Sequence, residues 1–239
     1  MASAIPVGGR AIGEVLRRSA SLERLRRAIG VIPMEQVKEG DCTNQSSSTE
    51  CNQCKLDQGA LVPAVPRRAV RRENKVNWDY QLQIANMNAG PERFSYCDKN
   101  TGLPVTAFDT SLAGRAWSAI KGEPQPNAEQ LNLTEWLYGG VYFDGFWRSQ
   151  CTVVDAKGRY AQFLSPDDGA PKLGFPQRFV FPGMIEEAGR QIAVINTAMP
   201  QAKLQWHFMQ IEVYKWAASS IPPPVACIHT PYILQVVQA

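Results

Sequence analysis

The chain has 239 residues, of which 44% are hydrophobic and 20% charged, with a formal net charge of +3. These are ordinary globular values that support a sizeable core, and the mild basic excess permits a polyanionic partner without demanding one. No apolar run is long enough to span a bilayer, and two histidines exclude a His-rich metal site.

Residues 1–40 read as a separate helical segment or linker. Ile12, Val15, Leu16, Leu22, Leu25 and Ile29 fall near helical spacing with arginines between them, and Ser21 is placed to cap a second helix. Glu14, Arg17, Arg18, Glu23, Arg24, Arg26 and Arg27 interrupt any apolar centre, so this is not a signal peptide. Residues 41–239 form the main domain. Cys42, Cys51 and Cys54 are spaced C-x8-C-x2-C, and with Cys97 they can supply four zinc ligands; disulfides and buried thiols are the alternatives. Arg67, Arg68, Arg71, Arg72 and Lys75 form a basic run, suited to phosphates or to a solvated helix face.

Trp78, Tyr80, Leu82 and Ile84 alternate with polar residues, which favours a strand over a helix. Residues 88–107 carry turn chemistry. Helices are expected at 112–120 and 128–137, the second ending at Gly139-Gly140. Strands follow at 141–147 and 151–157, then a helix at 184–198, a strand at 203–209, a helix at 211–218 stopped by three prolines, and a last strand at 225–228. The pattern predicts an α/β or α+β core built on a mixed sheet, without repeats or heptads.

Most of the chemistry lies between Glu135 and Lys157. On a strand, Asp155 and Lys157 share a face. If the strands on either side of Ser149-Gln150 pair as a hairpin with Arg148 opposite Cys151, Asp144 lies opposite Asp155, with Cβ atoms about 4.5–5.5 Å apart. Carboxylates that close repel unless a cation or proton intervenes, and Mg²⁺ suits one or two carboxylates plus phosphate oxygens. Lys157 would stabilise charge in the transition state, and Glu135, expected on a helix, would be a third ligand. A surface salt-bridge patch is the plainer reading, but the core-like neighbours Phe143, Phe146, Trp147, Val153 and Val154 set these charges on a buried sheet. His207 lies within an expected strand, where an ordinary hydrogen bond is favoured over a general-base role; a Cys151–His207 pair exists only on paper.

Glu135-Trp136, Gly140-Val141-Tyr142-Phe143-Asp144-Gly145-Phe146 and Val154-Asp155-Ala156-Lys157 together resemble the restriction-endonuclease-fold toxins, and most closely the Tox-REase-5 domains of bacterial antibacterial effectors. Tyr80-Gln81, Cys51-x-x-Cys54 and Gln205-Trp206-His207-Phe208 extend the likeness over roughly residues 50–220. Two positions depart from the superfamily's pattern: Phe143 replaces the proline often found before the first acid, and the second acid is Asp155 rather than Glu. The resemblance implies a restriction-endonuclease-like mixed sheet flanked by helices, with an N-terminal helical and Cys-containing extension. It implies phosphodiester hydrolysis, in DNA before RNA, with Mg²⁺ or Mn²⁺ held by Asp144, Asp155 and Glu135, and Lys157 as the fourth catalytic residue. Gln81 and Gln210, or Gln205, would touch substrate. It further implies synthesis in a bacterial cytoplasm and delivery to a competitor by a contact-dependent route such as type VI secretion, with a secretion-machine or chaperone partner and a cognate immunity protein. The competing readings are a zinc-stabilised binding module without catalysis, and the same fold acting on RNA.

Overall fold

A computed structural model describes residues 54–68, 70–105, 120 and 130–233. The expected helices at 12–29 and 112–119, and Cys42 and Cys51, lie outside the described residues. Two four-stranded sheets share the core. In the first, β3 (Leu131–Tyr138) is central; β1 (Ala60–Pro63), β2 (Tyr96–Asp98) and β4 (Val141–Phe143) all pair with it antiparallel. The second has the order β5 (Gly145–Trp147), β6 (Thr152–Lys157), β7 (Lys203–Phe208), β8 (Val225–His229). Its first pair is antiparallel and the other two are parallel. The parallel connections run through α2 (Phe181–Asn196) and α3 (Ile211–Ser220), as parallel strands require. The α+β expectation holds: among the described residues three helices flank the sheets, of which the second is mixed and the first wholly antiparallel.

Three local readings change. The segment expected as a helix at 128–137 is strand β3. Seven of its eight residues are buried, so no polar face marks the two-residue period. Gly139-Gly140 is consequently not a helix stop but a two-residue hairpin turn, with φ of +56° and +81°. The alternating stretch at 78–84 is part of α1 (Lys75–Asn86). Its buried residues Tyr80, Gln81, Ile84 and Ala85 form a helical stripe, and Trp78 and Leu82 pack against Val70, Tyr96, Leu131 and Leu133. α1 lies directly on the second sheet: a Cβ at Gly145 would stand 2.6 Å from the Ala85 Cα, so only glycine lets the helix approach.

The expected strand 141–147 is broken at Asp144. Its first half pairs in one sheet and its second half in the other, so Asp144 occupies the seam between them. The predicted hairpin register holds: Gly145 faces Val154, Phe146 faces Val153 and Trp147 faces Thr152. One step further sets Asp144 against Asp155. The core is continuous across the seam, where Trp136 of β3 stacks on Phe146 of β5 with ring centroids 4.6 Å apart. Cys54 is disulfide-bonded to Cys151, and Arg148 sits between Asp57 and Glu92, so the 54–58 turn is tied to the β5–β6 hairpin.

Candidate active site at the seam of two sheets

Four of the residues singled out from sequence converge on this seam. Glu135 comes from β3, Asp144 from the β4–β5 break, and Asp155 and Lys157 from the same face of β6. All are buried: Glu135 is 1% exposed, Asp155 4%, Lys157 5% and Asp144 8%. The Lys157 Nζ lies 2.7 Å from Asp155 Oδ1 and donates to Glu187 Oε2 at 2.7 Å. It also stands 4.1 Å from the centroid of the Trp206 ring. The Asp144 Oδ2 accepts a 2.7 Å hydrogen bond from the Ala156 amide, which locks the seam residue onto β6. Glu135 reaches the same place from a strand rather than from the expected helix.

Gln191 and Glu187 carried no signal in the sequence, and Arg68 stood out there only as part of the basic run. Gln191 of α2 donates to Asp155 Oδ2 at 2.6 Å, and its own Oε1 accepts from the Trp206 indole at 2.7 Å. Glu187, one helical turn earlier, is the second acceptor for Lys157. Arg68 donates through Nε and Nη2 to Glu135 Oε1 at 3.1 and 2.8 Å. A helix turn carrying polar Glu187 and Gln191 toward the sheet is the one local clue, and it requires knowing which helix face is inward.

Electrostatics separate the two aspartates. Burial, reinforced by the charges of Asp155 and Glu135, raises the Asp144 carboxyl well above its ordinary range. Burial acts the same way on Asp155, but the Lys157 charge and the hydrogen bonds from Lys157 and Gln191 more than offset it and hold this carboxyl below its usual value. Burial also lifts Glu135, against the pull of Arg68 and Gln81. Lys157 is desolvated, yet Asp155 and Glu187 raise its pKa, so it stays an ammonium at neutral pH.

The donor set fits a hard divalent cation. Glu135 Oε2 is buried without a hydrogen-bond partner, and Asp144 Oδ1 makes none among the described residues. An orphaned carboxylate oxygen beside a carboxyl that resists ionisation is an environment short of positive charge. Among the described residues no group of three or more His, Cys, Asp and Glu side chains is placed to hold a metal ion. Each Asp155 oxygen already accepts from one partner, Lys157 or Gln191, which leaves Asp144 and Glu135 with more free lone pairs than Asp155. Mg²⁺ typically takes only one or two carboxylates, completing its shell with water and phosphate.

The remaining candidates fall as follows. The Gln81 amide donates to Glu135 Oε1 at 3.1 Å, so it touches the site through that carboxylate. Gln210 accepts from the amides of Tyr160 and Ala161 at 2.7 and 2.8 Å and fixes the turn that leaves β6. Gln205 lies 3.3 Å from His207 Nε2. His207 is a buried strand residue bonded to Thr230 at 2.8 Å, with its pKa lowered by burial to about 4. The four-cysteine zinc set is corrected: Cys54 is bonded to Cys151, and Cys97 is a free buried thiol pushed up by desolvation to about 12. The same disulfide removes Cys151 as a nucleophile for His207.

Residues 117–211 match the model of the family described as "Restriction endonuclease fold toxin 5", Tox-REase-5. The match includes Glu135, Asp144, Asp155, Lys157, Glu187 and Gln191, and leaves out Arg68, Gln81 and the 54–58 turn. No curated protein matches the chain.

Proposed function

We propose that this chain, whose residues 117–211 belong to the restriction-endonuclease-fold toxin 5 family, is a metal-dependent nuclease that hydrolyses phosphodiester bonds in DNA. The observation that carries the reading is the meeting of Asp144, Asp155 and Lys157 at the seam, with a buried Glu135 oxygen left unpaired beside them.

Mg²⁺ or Mn²⁺ would be held by Asp144 and Glu135, with Asp155 as the third carboxylate. When bound, such an ion supplies positive charge to the phosphoryl group and acidifies water at neutral pH. The protein's own part is charge and placement. Lys157 remains protonated, so it acts as a fixed cation for the pentavalent transition state rather than as a base. Asp155 and Glu187 hold the ammonium from two sides, and Gln191 and Trp206 hold Asp155. The buried surround keeps these charges in a low-dielectric setting where each acts more strongly.

Family membership supports a toxin role, and we extend it to an antibacterial effector made in the producer's cytoplasm. Delivery to a competitor would use a signal-peptide-independent route such as type VI secretion, with a secretion-machine or chaperone partner. A cognate immunity protein would protect the producer. Residues 41–239 would be the toxin domain and 1–40 its linker. Among the described residues, no helix is long and apolar enough to cross a membrane.

The test is digestion of plasmid, genomic DNA and total RNA by pure protein, with Mg²⁺ and with a chelator. Asp144→Ala, Asp155→Ala and Lys157→Ala run in parallel, with circular dichroism as the fold control. Metal-dependent DNA cleavage lost in all three folded variants is expected. Full activity in any of them refutes the reading, and cleavage of RNA alone reassigns the substrate.

A further inference from the structure

Lys157 cannot meet a phosphodiester alone. Two of its three N–H donors are committed to Asp155 and Glu187, and it lies among carboxylates that repel an incoming anion. A second cation, Arg68, borders the same cluster from the opposite side. Its charge acts on Asp144 and Asp155 as well as on Glu135. It is presented by a tightly fixed turn. The amide of Ala64 donates to the Leu133 carbonyl at 2.8 Å, and the amide of Arg68 donates to Asn132 Oδ1 at 2.8 Å. The Asn132 amide group closes the turn on the Ala64 carbonyl at 3.0 Å. Ala64 and Val70 are buried on either side, so the turn is pinned at both ends.

The guanidinium is oriented asymmetrically. Nε and Nη2 both donate to one oxygen, Glu135 Oε1, while Nη1 makes no hydrogen bond among the described residues. The Arg68 side chain is 34% exposed, against 1% for its carboxylate partner. One edge of the fork is therefore bound inside, while Nη1 keeps both of its donors unspent on a side chain that retains a third of its surface. Planar guanidinium edges match phosphate oxygens, and the partner already holding Arg68 removes most of the entropy that such a grip would otherwise cost.

We propose that Arg68 is a substrate-binding catalytic residue whose Nη1 edge grips the backbone phosphate at the scissile bond. This rests on the nuclease reading of the same site. It also places one catalytic group outside the segment matched to the toxin family, on a turn upstream of residue 117. The plainer alternative is that Arg68 only neutralises the buried Glu135.

Removing that carboxylate separates the two. Binding of a fluorescent 20-base-pair DNA duplex is measured by anisotropy in chelator, against salt concentration, for wild type, Glu135→Gln and Arg68→Gln/Glu135→Gln full-length proteins. With Glu135 neutral, Arg68 loses its paired carboxylate, and only the unbonded charges of Asp144 and Asp155 still act on it. A phosphate contact still predicts that the slope of log affinity on log salt shrinks by roughly 0.9 when Arg68 is lost. An unchanged slope in the folded double variant overturns the assignment. If that variant does not fold, Arg68→Lys/Glu135→Gln serves instead: it keeps the charge and the slope but loses the fork, and a roughly tenfold weaker affinity is expected. Undiminished affinity there also overturns the assignment. Wild-type protein that cleaves DNA while Arg68 makes no difference refutes Arg68 alone. Wild-type protein that neither binds nor cleaves DNA or RNA refutes Arg68 and the nuclease reading together.

Discussion

Replacing Gln191 by leucine removes both ends of the bridge between Asp155 and Trp206 at nearly constant volume. Gln191 is 1% exposed, so water does not replace it. The Asp155 carboxylate loses its 2.6 Å donor, and the Trp206 indole N–H loses its 2.7 Å acceptor. Each buried group left unpaired costs about 1–3 kcal/mol, for a total of about 2–6 kcal/mol. Lys157 still holds the other oxygen of Asp155, which favours the lower half of that range. Urea unfolding reads the effect. With a slope of about 1–3 kcal/mol per molar, a loss of about 3 kcal/mol moves the midpoint by about 1–3 M without changing the slope. Gln191→Leu should also lower kcat more than it raises KM, because a loosened Asp155 frees Lys157. A variant within about 0.5 kcal/mol of wild type would mean that the bridge contributes nothing and that Asp155 is positioned by its strand alone.

Divalent cation should stabilise the fold by about 2.7 kcal/mol at a hundred times its dissociation constant, read as a rise in melting temperature; Asp144→Ala should abolish the rise. Cys54→Ser opens a loop of 97 residues closed by the disulfide with Cys151. Chain entropy puts the destabilisation near about 4–5 kcal/mol, and reductant on wild type should reproduce it in calorimetry. His207 titrates near 6.5 when unfolded and about 4 when folded. Between those values the unfolded chain binds more protons, so stability is fully present above pH 6.5 and falls as pH drops toward 4. The fall reaches about 3 kcal/mol at about 1.4 kcal/mol per unit, and His207→Gln should flatten it in acid-unfolding curves.

The hairpin at the centre of the site was legible because two short runs rich in aromatic and β-branched residues flank the polar Arg148-Ser149-Gln150 link. Once Arg148 is set against Cys151, Asp144 must meet Asp155. The family likeness rested on the same stretch and is borne out over residues 117–211. Strand β3 was not legible, because burial on both faces erases alternation and its Leu, Glu and Gln neighbours favour helix. In α1 the polar residues at 79, 81 and 83 imitated a strand, although Gln81 is buried against Glu135. The partners of the site were out of reach for another reason. Gln191 lies 36 residues from Asp155, Glu187 30 from Lys157 and Arg68 67 from Glu135, and only the packing of α2 and of the 64–68 turn brings them in.

The seam also explains why the acidic cluster tolerates such burial. A carboxylate in the middle of one continuous sheet would be held in the ladder and shielded on both faces. Asp144 instead occupies the residue at which the chain leaves one sheet for the other, and it satisfies the second sheet with its side chain rather than its backbone. Glu135 of β3, Asp144 of the break and Asp155 of β6 act on one another's charge across the seam. Two cations are paired with this cluster: Lys157 from β6 and Arg68 from the turn after β1. Each is already bound to a carboxylate, so together they balance Glu135 and Asp155. What they leave unbalanced is Asp144, whose carboxyl is driven toward its protonated form by burial, reinforced by its two acidic neighbours. A divalent ion at that point would let Asp144 ionise without disturbing either existing pair. On the nuclease reading proposed above, an anionic phosphate would sit between Lys157 and Arg68.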